Sequence, residues 1–112
     1  MDVRDEPFGG GMVDLVVLSA VRLRDESYGY AIGQDLANAG ITGLGEAAIY
    51  ACLRRLFGRS LLTSRQVVAD NGKARRYYAL TAEGEEHLES EVLVWQARRN
   101  AVDKVIEAGQ SN

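Results

Sequence analysis

Residues 46–81, EAAIYACLRRLFGRSLLTSRQVVADNGKARRYYALT, carry two different periods in succession. From Glu46 to Phe57 the apolar positions Ile49, Cys52, Leu53, Leu56 and Phe57 fall on one face of an α-helix. Ala47, Ala51 and Arg54 lie on the opposite face, with Tyr50 and Arg55 at its edges. After Gly58 the period shortens to that of a strand. Leu62, Ser64, Gln66 and Val68 alternate with Leu61, Thr63, Arg65 and Val67. Asp70-Asn71-Gly72 separates this run from a second β-prone run, Ala74 to Leu80. Two such runs around an Asn-Gly pair predict a β-hairpin.

Two helices are predicted ahead of this stretch. Gly29 to Ala39 places Tyr30, Ile32 or Gly33, Leu36 and Ala37 along one face, with Gly40 as the stop. A turn with two glycines, Ile41 to Gly45, joins it to the next helix. Met12 to Arg24 is apolar nearly all round, so it must be covered on more than one side. Asp25-Glu26-Ser27 is a polar break. Beyond the hairpin, Thr81 caps a long helix that runs to about Glu107, with Gly84 and acidic Glu83, Glu85 and Glu86 near its start.

Helix, helix, helix, hairpin and long helix is the order of a winged helix-turn-helix. The expected fold is therefore mainly α with a β-hairpin wing, followed by a long C-terminal dimerisation helix. The expected organisation is a flexible arm over residues 1–11, a DNA-binding domain over 12–81, the dimerisation helix over 82–107 and a disordered tail over 108–112.

Composition narrows the function classes. With 112 residues, 46% of them apolar and 26% charged, the chain is one small globular domain. A domain of this size buries only about 65% of its unfolded surface, so a partner subunit would help it. One cysteine and one histidine exclude an internal disulfide and a Cys/His zinc site. The run Met12 to Leu23 is broken by Asp14 and falls short of the roughly 20 residues of a membrane span. The opening MDVRDEPFGGG does not resemble a signal peptide, so a soluble, cytoplasmic protein with no membrane partner is expected. No acid–base pair or nucleophile motif stands out, and Gly9-Gly10-Gly11 lacks the Lys-Ser/Thr of a P-loop. An enzyme is not expected, nor a cofactor or a metal.

Net charge is −3, but its distribution is uneven. Residues 1–45 carry three Arg against seven Asp or Glu, and residues 82–112 carry three cations against seven acids. Residues 46–81 reverse this: Arg54, Arg55, Arg59, Arg65, Lys73, Arg75 and Arg76 stand against Glu46 and Asp70. A basic centre between acidic ends is the footprint of an anionic partner, here double-stranded DNA.

Within that centre, Tyr50 and Arg54 are the groove candidates, and Arg54 could hold either a guanine or a phosphate. Lys73, at the hairpin tip, is the cleaner phosphate candidate. Arg55, Arg75 and Arg76 complete the set expected at DNA. Arg75 and Arg76 point to opposite faces of a strand, so they cannot share one phosphate. Of Tyr77 and Tyr78 one must face the core, and Tyr78 with Leu80 is the expected choice. Cys52 is expected as a buried hydrophobe rather than a redox sensor, and His87 as a solvated side chain.

On the last helix Leu88, Val92, Trp95, Val102 and Ile106 form a heptad-like seam with Arg99 at its polar position. Val94, Ala97 (or Arg98), Ala101 and Val105 make a second stripe beside it. Two stripes in a one-domain chain allow the helix to cover its own domain and to meet a symmetry mate. A homodimer is expected, with that seam as its interface.

Three stretches also resemble one family. Ser27-Tyr28-Gly29-Tyr30-Ala31-Ile32 resembles the H-G-Y-E-I opening of helix two in the PadR-like transcriptional regulators. Ala48-Ile49-Tyr50-Ala51-Cys52-Leu53-Arg54-Arg55-Leu56 is similar to their G-T-L-Y-P-A-L-x-R-L recognition helix. Residues 72–84, GKARRYYALTAEG, resemble their G-R-x-R-K-Y-Y-x-L-T-x-x-G wing-to-helix signature. The single C-terminal helix is similar to the compact branch of the family. Tyr28 departs from the usual His, Ala47-Ala48 from Gly then Ser or Thr, Ala51 from Pro and Ser60 from Gly.

The resemblance implies a sequence-specific transcriptional regulator, a repressor that binds an inverted-repeat operator as a homodimer. In some members the dimer interface also lines an effector pocket. Trp95 is then the candidate platform for a small apolar or aromatic effector, although plain interface core is its first expected role. The competing class is a winged helix that binds protein and not DNA.

Overall fold

The computed structural model describes residues 11–111. Its elements are α1 (Met12–Leu23), α2 (Gly29–Asn38), α3 (Glu46–Gly58), β1 (Leu62–Val68), β2 (Ala74–Leu80) and α4 (Ala82–Gln110). The N-terminal arm expected over residues 1–11 falls, apart from Gly11, outside the described residues.

Helix α1 is the centre of the molecule. Val17, Leu18, Ala20 and Val21 are buried, and the helix packs against α2, α3, α4 and β2. An apolar circumference therefore finds cover on several sides, as its composition requires. Ile32 and Leu36 of α2, Ile49, Cys52, Leu53 and Leu56 of α3, Leu61, Leu62 and Tyr78 of the hairpin and Leu88 of α4 complete one core. Two expectations fail at helix margins. Phe57 is 51% exposed rather than on the core face, because in the last turn of α3 it projects about 40° beyond Leu53, past the edge of the buried arc. On α2, Tyr30 and Ala37 face solvent and Ala31 takes the buried position instead.

Helices α2 and α3 end alike. Beyond α2 the Ile41 N–H bonds to the Leu36 carbonyl (2.8 Å) and the Gly40 N–H to that of Ala37 (3.0 Å). Beyond α3 the Leu61 N–H bonds to Leu56 (3.0 Å) and the Ser60 N–H to Phe57 (3.0 Å). Both are Schellman ends, which require a left-handed residue just past the helix. Gly40 supplies it at φ 99°, whereas Ser60 adopts φ 63° with a side chain attached. The departure from glycine at residue 60 is thus accommodated without changing the path of the chain.

The strands pair antiparallel, with Leu62 opposite Leu80 and Val68 opposite Ala74. The reversal is a turn from Ala69 to Gly72, closed by the Gly72 N–H to the Ala69 carbonyl (2.9 Å), and only Gly72 takes a positive φ within it. Asp70 and Asn71 are therefore its centre, and Gly72 is the left-handed residue that follows, a type I turn with a bulge. Ser27, read above as part of a polar break, pairs with Tyr78 through two backbone bonds (3.0 and 2.8 Å) and adds a one-residue third strand. That bridge fixes the wing to the α1–α2 connection.

The Thr81 side chain caps α4 by accepting from the Gly84 N–H (2.9 Å). The helix spans 29 residues and continues to Gln110, so residues 108–110 are helical rather than tail. At about 1.5 Å per residue it is some 43 Å long, and it stretches the molecule to 62 × 27 × 25 Å. Its first half packs on the domain, and Arg98 still lines a crevice against the start of α1. Leu88, expected at a dimer interface, is fully buried in the chain's own core, and Val92 packs partly against that core. From Gln96 to Ser111 every residue but Arg98 is exposed.

Candidate nucleic-acid interface

Helix α3 presents Ala47, Tyr50, Ala51 and Arg54 to solvent while Ile49, Cys52, Leu53 and Leu56 hold it to the domain. Residues 47 and 51 beside Arg54 are both small, and Arg54 is exposed. Tyr50 is 39% exposed, its ring lying over the start of α2, where a Cβ added at Gly29 would come within 2.5 Å of it. The glycine at 29 is thus required by the close approach of Tyr50.

The seven central cations have different fates. Arg55 donates to Asp14 Oδ1 and Arg59 Nη1 lies 3.7 Å from Asp14 Oδ2, so both turn toward α1. Arg65 forms a two-pronged pair with Glu26 (2.6 and 2.5 Å) on the outer face of the wing. The Arg65 guanidinium bonded to Glu26 holds that carboxyl below the usual carboxylate range. Arg75 lies 4.6 Å over the Tyr28 ring, which meets Tyr77 edge-on at 5.2 Å. Arg76, on the other face of β2, donates to Ser64 Oγ (2.8 Å) and Gln66 Oε1 (3.3 Å). Of the seven central cations, only Arg54 and Lys73 have side chains with no hydrogen bond, carboxylate or ring against them among the described residues.

The six residues expected at DNA are therefore not one cluster. Tyr50 and Arg54 share the outer face of α3, and Lys73 stands at the wing turn. Arg75 and Arg76 occupy opposite faces of β2, bound to neutral groups, and Arg55 is committed to Asp14. Tyr78 is the buried tyrosine of the pair, with Leu80 half-buried beside it. Cys52 is 1% exposed, and burial, reinforced by the Asp14 carboxylate, pushes its thiol up to about 12. At neutral pH it stays a thiol, which fits an inert packing residue. Asp14, Glu26 and Tyr28 were missed as parts of this surface. Asp14 did leave a signal, since a charge inside an apolar helix needs a partner.

Residues 17–90 match the family described as Transcriptional regulator PadR-like family. The chain belongs to the PadR-like family. The PadR-like match runs from Val17, midway along α1, to the first third of α4 and takes in α2, α3 and the wing. A PadR family transcriptional regulator from Eggerthella lenta is 34% identical, with 83% of this chain and 81% of that one covered at a TM-score of 0.71. One from hypervirulent Clostridium difficile is 26% identical, covering 86% of this chain and 99% of that one at 0.75. Bacillus subtilis PadR, solved in complex with operator DNA, shares the fold at 20% identity and a TM-score of 0.66, over 72% of this chain and 46% of that one. The PadR-like family is one of transcriptional regulators, not of enzymes. Among the described residues no helix is long and apolar enough to cross a membrane.

Proposed function

We propose that this PadR-like regulator is a cytoplasmic repressor that binds an inverted-repeat operator as a homodimer. In this reading α3 enters the major groove with Arg54 toward the bases, and Lys73 meets the phosphates beside it. The observation that carries it is the pairing pattern of the basic centre. The central cations whose side chains have no hydrogen bond, carboxylate or ring partner among the described residues are the one at the middle of the exposed α3 face and the one at the wing turn. Those are the two places a winged helix offers to DNA.

Two surfaces support the homodimer. The outer half of α4 exposes Val102, Val105 and Ile106, which no other described residue buries. The far side of α1 carries an apolar trough lined by Val16, Ala20, Leu23, Leu36 and Ile41, with a volume of about 250 Å³. Each is a surface that a twofold mate can cover, because both occur on every copy. Trp95 lies at the boundary between the domain and the free half of α4. The crevice beside it, lined by Gly11, Met12, Leu15, Val94 and Arg98, holds only about 10 Å³, room for a single water. An apolar or aromatic effector at Trp95 would accordingly need a pocket completed by the second copy.

Sedimentation of the full chain tests the assembly and its partner together. The protein alone should run at about twice 12.2 kDa. With operator duplex it should form a complex of two chains per duplex that dissociates as salt is raised. A monomer that ignores duplex at low salt would instead mark a winged helix that binds protein.

A further inference from the structure

Asp14 is the only charge between Met12 and Val21, and its side chain is just 13% exposed. A carboxylate in that position must be partnered, and here the partners come from the recognition helix. Oδ1 accepts from the Arg55 guanidinium and from the Cys52 thiol at 3.3 Å, while Oδ2 lies 3.7 Å from Arg59 Nη1. The two arginine side chains remain 51% and 49% exposed, on the flank of α3 next to the face that carries Arg54. One fixed carboxylate of α1 thus holds two guanidiniums at the end of α3, Arg55 in its last turn and Arg59 at its C-cap.

The consequence follows from how proteins hold DNA. Binding to phosphates is indifferent to sequence, and each additional cation that reaches a phosphate strengthens the grip on every duplex alike. Contacts to base edges discriminate by only about 1–3 kcal/mol each, so surplus phosphate contacts dilute specificity. We infer that Asp14 is a specificity-determining residue: it restrains Arg55 and Arg59 from the phosphates, so that the base contact of Arg54 decides which duplex is held. This rests on the DNA-binding reading above.

The test is Asp14→Asn in the full chain, since asparagine keeps the shape and an acceptor for Cys52 but releases the charge. Binding to a random-sequence duplex and to the selected operator is measured by fluorescence anisotropy across a salt series. The variant should bind the random duplex about tenfold more tightly at low salt. Its slope of log affinity against log salt should steepen by roughly one to two ions per chain, and the operator-to-random ratio should fall. Adding Arg55→Gln and Arg59→Gln to Asp14→Asn should return the slope to that of the parent and not below it. The two arginine substitutions in the parent chain give a reading that does not depend on Asp14→Asn folding. A slope loss of about one ion per chain or more there means the arginines already hold phosphates and overturns the inference; a smaller loss supports it. Unchanged or weaker random-duplex binding by a folded Asp14→Asn, in a parent that does bind DNA, overturns the inference alone. A parent that binds no duplex at low salt overturns the DNA-binding reading and this inference with it.

Discussion

Gly84→Ala should cost about 2–3 kcal/mol of stability and lower the melting temperature by about 10 °C. The position looks harmless, being in the first turn of a helix where alanine is intrinsically better than glycine by about 1 kcal/mol. The packing overrides that preference. A Cβ at residue 84 would run into the Leu61 carbonyl oxygen and lie 3.0 Å from the Leu61 carbonyl carbon and 3.2 Å from Leu80 Cδ2. The Leu61 carbonyl cannot swing away, because it accepts the Thr81 N–H at 3.1 Å. The start of α4 would have to lift, loosening the Thr81 cap and the buried Leu88 behind it. Guanidinium unfolding of parent and variant reads the difference directly. A variant as stable as the parent would mean that α4 does not sit this close to the hairpin.

Arg54→Ala should reduce operator affinity about a hundredfold or more while leaving the fold intact. One arginine–guanine contact is worth about 1–3 kcal/mol, and a twofold complex loses it at both half-sites. The side chain is exposed and has no carboxylate partner among the described residues, so its loss opens no cavity and orphans no buried charge. Its neighbour behaves oppositely. Leu53 is fully buried, and Leu53→Ala should cost about 2–5 kcal/mol through the cavity left between α1 and α3. Paired binding and unfolding curves for the two variants separate the faces of the helix. A loss confined to one base position marks Arg54 as a base reader; uniform weakening with a salt slope lower by about one ion per chain marks a phosphate clamp. An Arg54→Ala protein that unfolds, or binds as tightly as the parent, would place this residue on the wrong face.

The elements of this fold were legible because period and punctuation agree over most of the chain. The switch from helical spacing to alternation after Gly58, the Gly40 stop and the Thr81 cap each place a boundary within a residue or two of where it lies. What escaped was information that no local pattern holds. Leu88 fits a heptad seam as well as any residue on α4, yet α1 is near enough to bury it, so the seam divides into a core half and an exposed half. Ser27 gives no strand signal because its pairing is a single residue long and depends on Tyr78, far along the chain. Ser60 departs from glycine in sequence while keeping glycine's conformation, which only the backbone of α3's end reveals.

The basic centre was legible as a charge excess but not as a surface. Counting seven cations between residues 46 and 81 gives no hint that Asp14 and Glu26 occupy three of them, since both acids lie well outside that segment. Nor does alternation along β2 foretell that Arg75 rests on Tyr28, because the ring arrives from the α1–α2 connection. Charge excess localises a partner; pairing determines which charges remain to meet it.

The central claim is that two copies of this chain read a symmetric DNA site through α3, and selection from a pool of random duplexes tests it most directly. The protein should enrich an inverted repeat whose half-site centres lie about 34–36 Å, one helical turn, apart. Recovery of no consensus at low salt, or of a single asymmetric half-site, would contradict it.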